Sequence, residues 1–265
     1  MARVLITGCS TGFGRASAIE LARRGHEVIA TARRVETLSD LDVAERFALD
    51  VEDEASIDKV VGACVHLDAL VNNAGVGLTG PVEAVPLPDV RALFDVNFFG
   101  AVRTMQAVVP RMRQAGGGVV VNVSSIAGRV SSPLGGFYSA TKYALEAVSE
   151  AAHYELGHFG IRVVLIEPGA FATNFTTAEH GHGDDVPPYD ELRREWDKAS
   201  DVLAGGEPPP GPEAVAVAIA DAIENPDTPL RVPVGADAEM IVAARASMDD
   251  ATFEATMREM LGLEW

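Results

Sequence analysis

The sequence predicts an α/β fold, one doubly wound parallel sheet with helices on both faces, and three observations carry that expectation. Short apolar, β-branched runs recur along the chain, longer stretches of helical period follow them, and a glycine-rich turn comes directly after the first run. Continuous apolar runs are the mark of strands buried on both faces, as in parallel sheets. Such sheets bind ligands at the carboxyl ends of their strands.

The predicted strands are Val4 to Thr7, Val28 to Ala32, Phe47 to Leu49, Ala69 to Asn72, Val119 to Ser124 and Val163 to Ile166. Helices are predicted at Gly14 to Arg24, Ile57 to Cys64, Val90 to Gln114 and Tyr138 to His158, with a later one at Glu213 to Glu224. Gly116-Gly117-Gly118 reads as a helix stop and turn before a buried strand. Residues 174–212, with His180, His182, Asp184, Asp185, Pro187-Pro188 and Pro208-Pro209-Pro210, read as an insertion over the sheet. A substrate lid with Tyr189 and Trp196 as apolar contacts is one reading of it, and a surface loop holding a short helix is the other. Met240 to Trp265 reads as an amphipathic packing helix. No repeat and no long linker divides the chain, so residues 1–265 are expected to form a single domain.

At 48% hydrophobic content, 265 residues suffice for a substantial core. The net charge of -18 argues against nucleic-acid backbones and anionic membranes as partners. Most of that charge lies beyond residue 173, so an anionic ligand near the amino-terminal two-thirds meets little net repulsion. No apolar run approaches the roughly 20 residues that span a membrane. Met1 to Thr7 has no signal-peptide core, and the expected location is cytoplasmic. Cys9 and Cys64 lie in no CxxC or Cys/His pattern and read as reduced structural thiols. The loosely spaced His180, His182, Asp184 and Asp185, interleaved with Gly181 and Gly183, read as a solvated loop, and no metal site is expected.

Gly8, Ser10, Thr11, Gly12, Phe13 and Gly14 lie in the turn between the first strand and first helix. Glycines allow a tight turn and close backbone approach, and a helix N-terminus offers free N–H groups to a pyrophosphate, so this is a candidate dinucleotide site of a Rossmann-type sheet. Its spacing differs from G-x-G-x-x-G, and a generic glycine turn is the plainer alternative. About 20 residues further on, where NAD-selective sites place a carboxylate, the chain has Ala32, Arg33 and Arg34. Arg33 offers a planar charged fork for a 2'-phosphate, which favours NADP over NAD. Two solvated arginines at a strand end are the alternative.

Tyr138 and Lys142, four residues apart, share one helical face. Ionising a phenol near neutral pH costs roughly 4 kcal/mol, and a nearby cation lowers that cost, so the pair is a candidate acid/base device, while a bare Tyr and Lys four apart are also common without such a role. Ser125, closing the strand-like run from Val119, is placed to hold a substrate oxygen against the phenol.

Together Thr7 to Gly14, Asn72-Asn73-Ala74-Gly75, Asn97, Ser125, Tyr138 and Lys142 resemble the classical short-chain dehydrogenase/reductase family over residues 1–175. The Thr-Gly-Cys-Ser and Ala-Thr-Ala-Arg-Arg segments are similar to its hydroxysteroid and retinol dehydrogenase-like members. The resemblance implies that Asp50 and Val51 contact adenine, that Asn73, Ala74 and Gly75 line the cofactor, and that Pro168, Gly169 and Thr173 hold the nicotinamide end. It implies hydride transfer between nicotinamide and a carbonyl or alcohol carbon, with Tyr138 exchanging the proton and Ser125 orienting the oxygen. Lys142 would bind the nicotinamide ribose, and Asn97 would support a water relay to Lys142. It also implies a homo-oligomer, tetramer or dimer, built through the helices around Val90 to Gln114 and Tyr138 to His158.

Leu134, Phe137, Phe171 and Phe175 lie near these motifs and are candidates for a bulky apolar substrate pocket or for core. Two rival functions stand beside carbonyl reduction. A nucleotide-sugar epimerase or dehydratase fits poorly with the chain length and glycine spacing, and a non-catalytic NADPH sensor needs no intact Asn97, Ser125, Tyr138 and Lys142.

Overall fold

The computed structural model describes residues 1–173, 175, 180–181, 187–203 and 209–265. His182, Asp184, Asp185 and Pro208 of the predicted insertion lie outside the described residues. The strands are β1 (Arg3–Ile6), β2 (Glu27–Ala32), β3 (Glu45–Ala48), β4 (Ala69–Asn72), β5 (Leu78–Thr79), β6 (Gly118–Val123), β7 (Ile161–Pro168), β8 (His180–Gly181) and β9 (Arg231–Val234). The helices are α1 (Gly12–Arg23), α2 (Glu54–Ala63), α3 (Leu87–Phe94), α4 (Gly100–Ala115), α5 (Gly136–Gly157), α6 (Asp190–Leu203), α7 (Glu213–Glu224), α8 (Ala236–Ser247) and α9 (Asp250–Leu261).

Seven strands form one parallel sheet in the order β3-β2-β1-β4-β6-β7-β9. Side chains alternate across it, as the period of two requires. Val4 and Ile6 of β1 pack with Ala18 and Leu21 of α1 and Ile219 of α7, while Leu5 joins Ile57 of α2 and Val108 of α4 on the opposite face. Because both faces are covered, β1, β4 and β6 are mostly apolar. The chain winds outward from β1 to β3, then returns to β4 on the other side of β1. That reversal opens a crevice at the carboxyl ends of β1 and β4, the place where doubly wound sheets take their ligands.

Several boundaries depart from the sequence expectation for identifiable reasons. The predicted helix from Val90 to Gln114 begins earlier, at Leu87 behind Pro86, and a π turn over Asp95–Phe99 divides α3 from α4. Gly116 ends α4 in the left-handed region at φ 88°, with the N–H groups of Gly116 and Gly117 returning to Arg113 and Met112. The carboxy-terminal segment forms two helices rather than one, because the Asp249 side chain accepts the Thr252 N–H at 2.8 Å and starts α9 afresh. β9 escaped the sequence reading: its Arg-Val-Pro-Val is not an apolar run, and Pro233 is tolerated because this strand is at the sheet edge.

Behind the crevice a polar ladder ties both central strands to the helices. Asn72 Nδ2 donates to Asn122 Oδ1 at 2.9 Å, and Asn122 Nδ2 donates to Ser149 Oγ of α5 at 2.8 Å. Thr104 of α4 donates to Asn72 Oδ1. All four side chains are buried, so their mutual satisfaction is what makes the burial affordable and fixes α4 and α5 against the sheet.

Candidate active site

The glycine turn is built around backbone contact. Gly8 and Gly12 have φ of 76° and 57°, in the left-handed region that side chains disfavour. Gly14 has another reason: a Cβ there would lie 2.4 Å from the Gly8 carbonyl oxygen and from Asn73 Nδ2. Asn73 Nδ2 in turn donates to the carbonyls of Thr7 and Gly8 at 2.9 and 3.1 Å, and Thr7 Oγ1 accepts the N–H groups of Asn73 and Ala74, each at 3.0 Å. β1 and β4 are thus stitched together at their carboxyl ends. Thr11 caps α1 without a side-chain hydrogen bond, and the first turn carries no acidic residue, which leaves its amides open to an anion. A pyrophosphate fits this cradle.

Arg33 is exposed directly after β2, and it forms no ion pair among the described residues. Asp50 folds back on its own loop, its Oδ1 accepting the Glu52 N–H at 3.1 Å, while its N–H donates to Ser56 Oγ. Val51 is buried against Gly100, where an added Cβ would come within 2.8 Å of it. Thr173 faces Gly12 across the crevice mouth, 3.5 Å from where a Cβ would stand. The Gly169 N–H donates to Val234 at 3.0 Å, and the Ala170 N–H donates to Asp237 Oδ2 at 2.7 Å, so the loop after Pro168 is held from α8.

Lys142 is almost wholly buried on α5, and its Nζ donates to the Val123 carbonyl at 2.9 Å. The ammonium lies 5.7 Å from the centroid of the Tyr138 ring, within reach of a cation–π contact. Burial pushes the Lys142 pKa down to about 8, against the opposing pull of Glu146 one turn further along. Ser125 follows β6 and starts a short helical turn over Ile126–Gly128; its Oγ accepts the Ala127 N–H at 3.1 Å and donates at 3.5 Å to Pro168. The latter contact is at the weak end of hydrogen bonding and leaves the hydroxyl available. That turn packs on α5, the helix that carries Tyr138 and Lys142.

Asn97 is buried in the π turn. Its Oδ1 accepts the Val76 N–H at 2.8 Å and its Nδ2 donates to the Val76 carbonyl at 2.9 Å and to Thr141 Oγ1 at 3.3 Å. Its side chain therefore joins the π turn, α5 and the segment after Gly75. π turns recur at functional sites because they re-aim a few backbone groups within an otherwise regular helix.

The four apolar candidates divide. Phe175 lies over Tyr138 at 5.6 Å between ring centroids. Phe171 packs edge-on against Phe13 at 5.6 Å and rests on the core, and Phe137 packs into a cluster with Leu78, Val85 and Leu93. Leu134 is buried with φ 60°, a left-handed conformation rare outside glycine, and its carbonyl accepts the Gly80 N–H at 2.8 Å.

The short chain dehydrogenase family model matches residues 2–182. The chain belongs to the classical short-chain dehydrogenase/reductase family. It is 35% identical to the oxidoreductase YusZ of Bacillus subtilis, over 97% of each chain, and 38% identical to retinol dehydrogenase 8 of Bos taurus over 65% of this chain and 60% of that one. Among solved structures, a short-chain dehydrogenase from Streptomyces avermitilis superposes with a TM-score of 0.84 at 36% identity, covering 99% and 98% of the two chains. One from Burkholderia cenocepacia in complex with NADP gives 0.79 at 26% identity over 97% of each chain, and a 3-ketoacyl-(acyl-carrier-protein) reductase from Brucella melitensis complexed with NADH gives 0.74 at 26% over 88% and 96%.

In this short-chain dehydrogenase, several residues that shape the site were not singled out by sequence. Thr7 and Thr141 sit inside motifs already noticed, so their neighbours were the available signal. Asp237, 67 residues beyond the backbone N–H that it accepts, had none. Nor did Arg129 and Arg231, which hold the buried carboxyls of Glu167 and Glu146 behind the serine turn.

Proposed function

We propose that this short-chain dehydrogenase is an NADP-dependent oxidoreductase acting on a carbonyl or secondary alcohol, with a bulky apolar substrate. The observation that carries the reading is the burial of Lys142 beside the Tyr138 ring, with Ser125 on a turn packed against the same helix. The bound nicotinamide supplies or accepts the hydride. Tyr138 donates the proton to the carbonyl oxygen in reduction and takes it back in oxidation. Lys142, with a pKa near 8, remains mainly cationic at pH 7 and favours phenolate in that exchange. Ser125 would fix the substrate oxygen, and Asn97, whose side chain holds the Val76 backbone, would support a water relay to Lys142.

The open amides of Gly12 to Gly14 hold the pyrophosphate, and Arg33 reads the 2'-phosphate. The NADP complex of the Burkholderia cenocepacia relative supports that preference, although the Brucella melitensis relative holds NADH. Asp50 and Val51 would contact the adenine, Asn73, Ala74 and Gly75 would line the cofactor, and Pro168, Gly169 and Thr173 would hold the nicotinamide end. Retinol dehydrogenase 8, by its name, supports the apolar substrate.

Oxidation of NADPH is followed with a panel of apolar ketones, comparing wild type with Tyr138→Phe. The variant keeps the ring that packs on Phe175 and should keep cofactor binding, yet lose about 100- to 10,000-fold in turnover. Tight NADPH binding by wild type without turnover of any ketone or alcohol would favour the sensor reading instead.

A further inference from the structure

A cavity of about 440 Å³ lies between the turn that Ser125 caps and the helices α6 and α9. Its floor includes Ile126 and Ala127, the two residues after the serine, and Ala127 is the one whose N–H donates to Ser125 Oγ. The walls include Trp196 of α6 and Phe253, Met257 and Leu261 of α9. Packed interiors contain few voids larger than a water molecule, whereas ligand sites span about 300–1,000 Å³. This volume belongs to the second class.

Its chemistry is equally specific. Arg258 is a cation on the lining, and its guanidinium is already engaged, with Nε donating to Glu254 at 3.0 Å and Nη1 to the Trp265 carbonyl at 2.5 Å. An anionic group entering here meets a neutralised pair rather than an open charge. At the Trp265 end, Glu195 of α6 accepts the N–H groups of Glu264 and Trp265, each at 3.0 Å, and the Trp265 ring lies 6.1 Å from that of Tyr189. Of the two aromatic residues expected to touch a substrate, Trp196 lines the cavity, and Tyr189 packs against the Trp265 ring beside it.

We infer that this cavity holds an uncharged hydrocarbon tail of the substrate, extending from the reacting carbon past Ser125 and Ala127 towards Trp196 and Trp265. The inference rests on the carbonyl-oxidoreductase reading above and adds the class of substrate: ketones or secondary alcohols with a long aliphatic tail, preferred over short or charged ones. Met257 and Val130, on different walls, set how much tail is accepted.

Two measurements test it. With NADPH and the series 2-butanone, 2-hexanone, 2-octanone and 2-decanone, kcat/KM of wild type should rise by up to about fourfold per added methylene, which is about 0.8 kcal/mol each. Met257→Trp should bring the ratio of 2-decanone to 2-butanone down toward one; should that variant fail to fold, Val130→Phe answers the same question from the opposite wall. A ratio unchanged in a folded variant, or no rise with chain length in wild type, overturns the inference while leaving the oxidoreductase reading intact. Both tryptophans of the chain line the cavity, so fluorescence reads it without turnover. Titrating wild type with 2-decanone should shift their emission to the blue with saturation, and acetone should not. A saturable shift without reduction of any ketone removes the oxidoreductase reading and, with it, the assignment of the tail to a substrate; no shift with 2-decanone, where ketones are reduced, overturns the cavity assignment alone.

Discussion

Arg129 Nη1 donates to Glu167 Oε1 at 3.0 Å, pairing the loop behind Ser125 with a fully buried carboxyl one residue before Pro168. Burial, and next the neighbouring Glu146, raise the pKa of Glu167, while Arg129 and Arg231 oppose them. Ser125 and Pro168 are thus held at the two ends of one ion pair. Removing only Arg129 leaves the buried carboxyl with Arg231 alone, at 3.7 Å, and breaking such a pair costs about 3 kcal/mol. Arg129→Ala should therefore lose about that much stability in urea unfolding, and Arg129→Ala with Glu167→Gln should recover part of it. A single variant as stable as wild type would show that the pair is not holding the loop.

How far the sequence could lead is visible in the same residues. β4 matches the predicted Ala69 to Asn72 residue for residue, because Ala69, Leu70 and Val71 form a short buried apolar run with sharp boundaries. The left-handed glycines of the turn and the approach of Lys142 to the Tyr138 ring were legible because spacings of two to four residues set such local geometry. The Arg129–Glu167 and Arg231–Glu146 pairs span 38 and 85 residues, and only the folded sheet brings them together. Helical period likewise could not reveal the π turn at Asp95–Phe99, since one extra residue in a turn barely alters an apolar stripe.

Lys142 couples stability to pH. Its pKa is about 8 in the folded chain without cofactor and near 10.5 when unfolded, so between those values the unfolded chain binds a proton that the folded chain has released. Folding stability from this group should rise with pH across that window, and below pH 8 the buried cation carries the full penalty, roughly 3 kcal/mol at most. Urea unfolding of the cofactor-free protein at pH 7, 8, 9 and 10 reads the slope, and Lys142→Met should flatten it. An identical slope in the variant would assign the pH dependence to other groups.

Arg33 provides a separate handle on cofactor choice, because it is exposed after β2 and is not engaged by an acidic neighbour among the described residues. A charge-assisted hydrogen bond contributes about 1.5–3 kcal/mol, so Arg33→Asp should raise KM for NADPH by about 10- to 100-fold and lower KM for NADH. The measured ratio of kcat/KM for the two cofactors decides it. An unchanged ratio would mean that the phosphate is read elsewhere.

Cys9 sits inside the glycine turn and yet is predicted to be chemically silent. It is fully buried, its thiol donates to the Ile6 carbonyl at 3.4 Å, and burial pushes its pKa up to about 12 against the lowering effect of the Thr31 backbone contact. Cys64 is buried as well, with its pKa also raised by burial. Thiolate is the reactive form, so at pH 8 neither residue should be alkylated by iodoacetamide in the folded protein, while both should react in urea. Mass spectrometry counts the adducts directly. Rapid labelling of Cys9 under native conditions would show that the turn between β1 and α1 opens, and the backbone cradle assigned to the pyrophosphate would then be formed only part of the time.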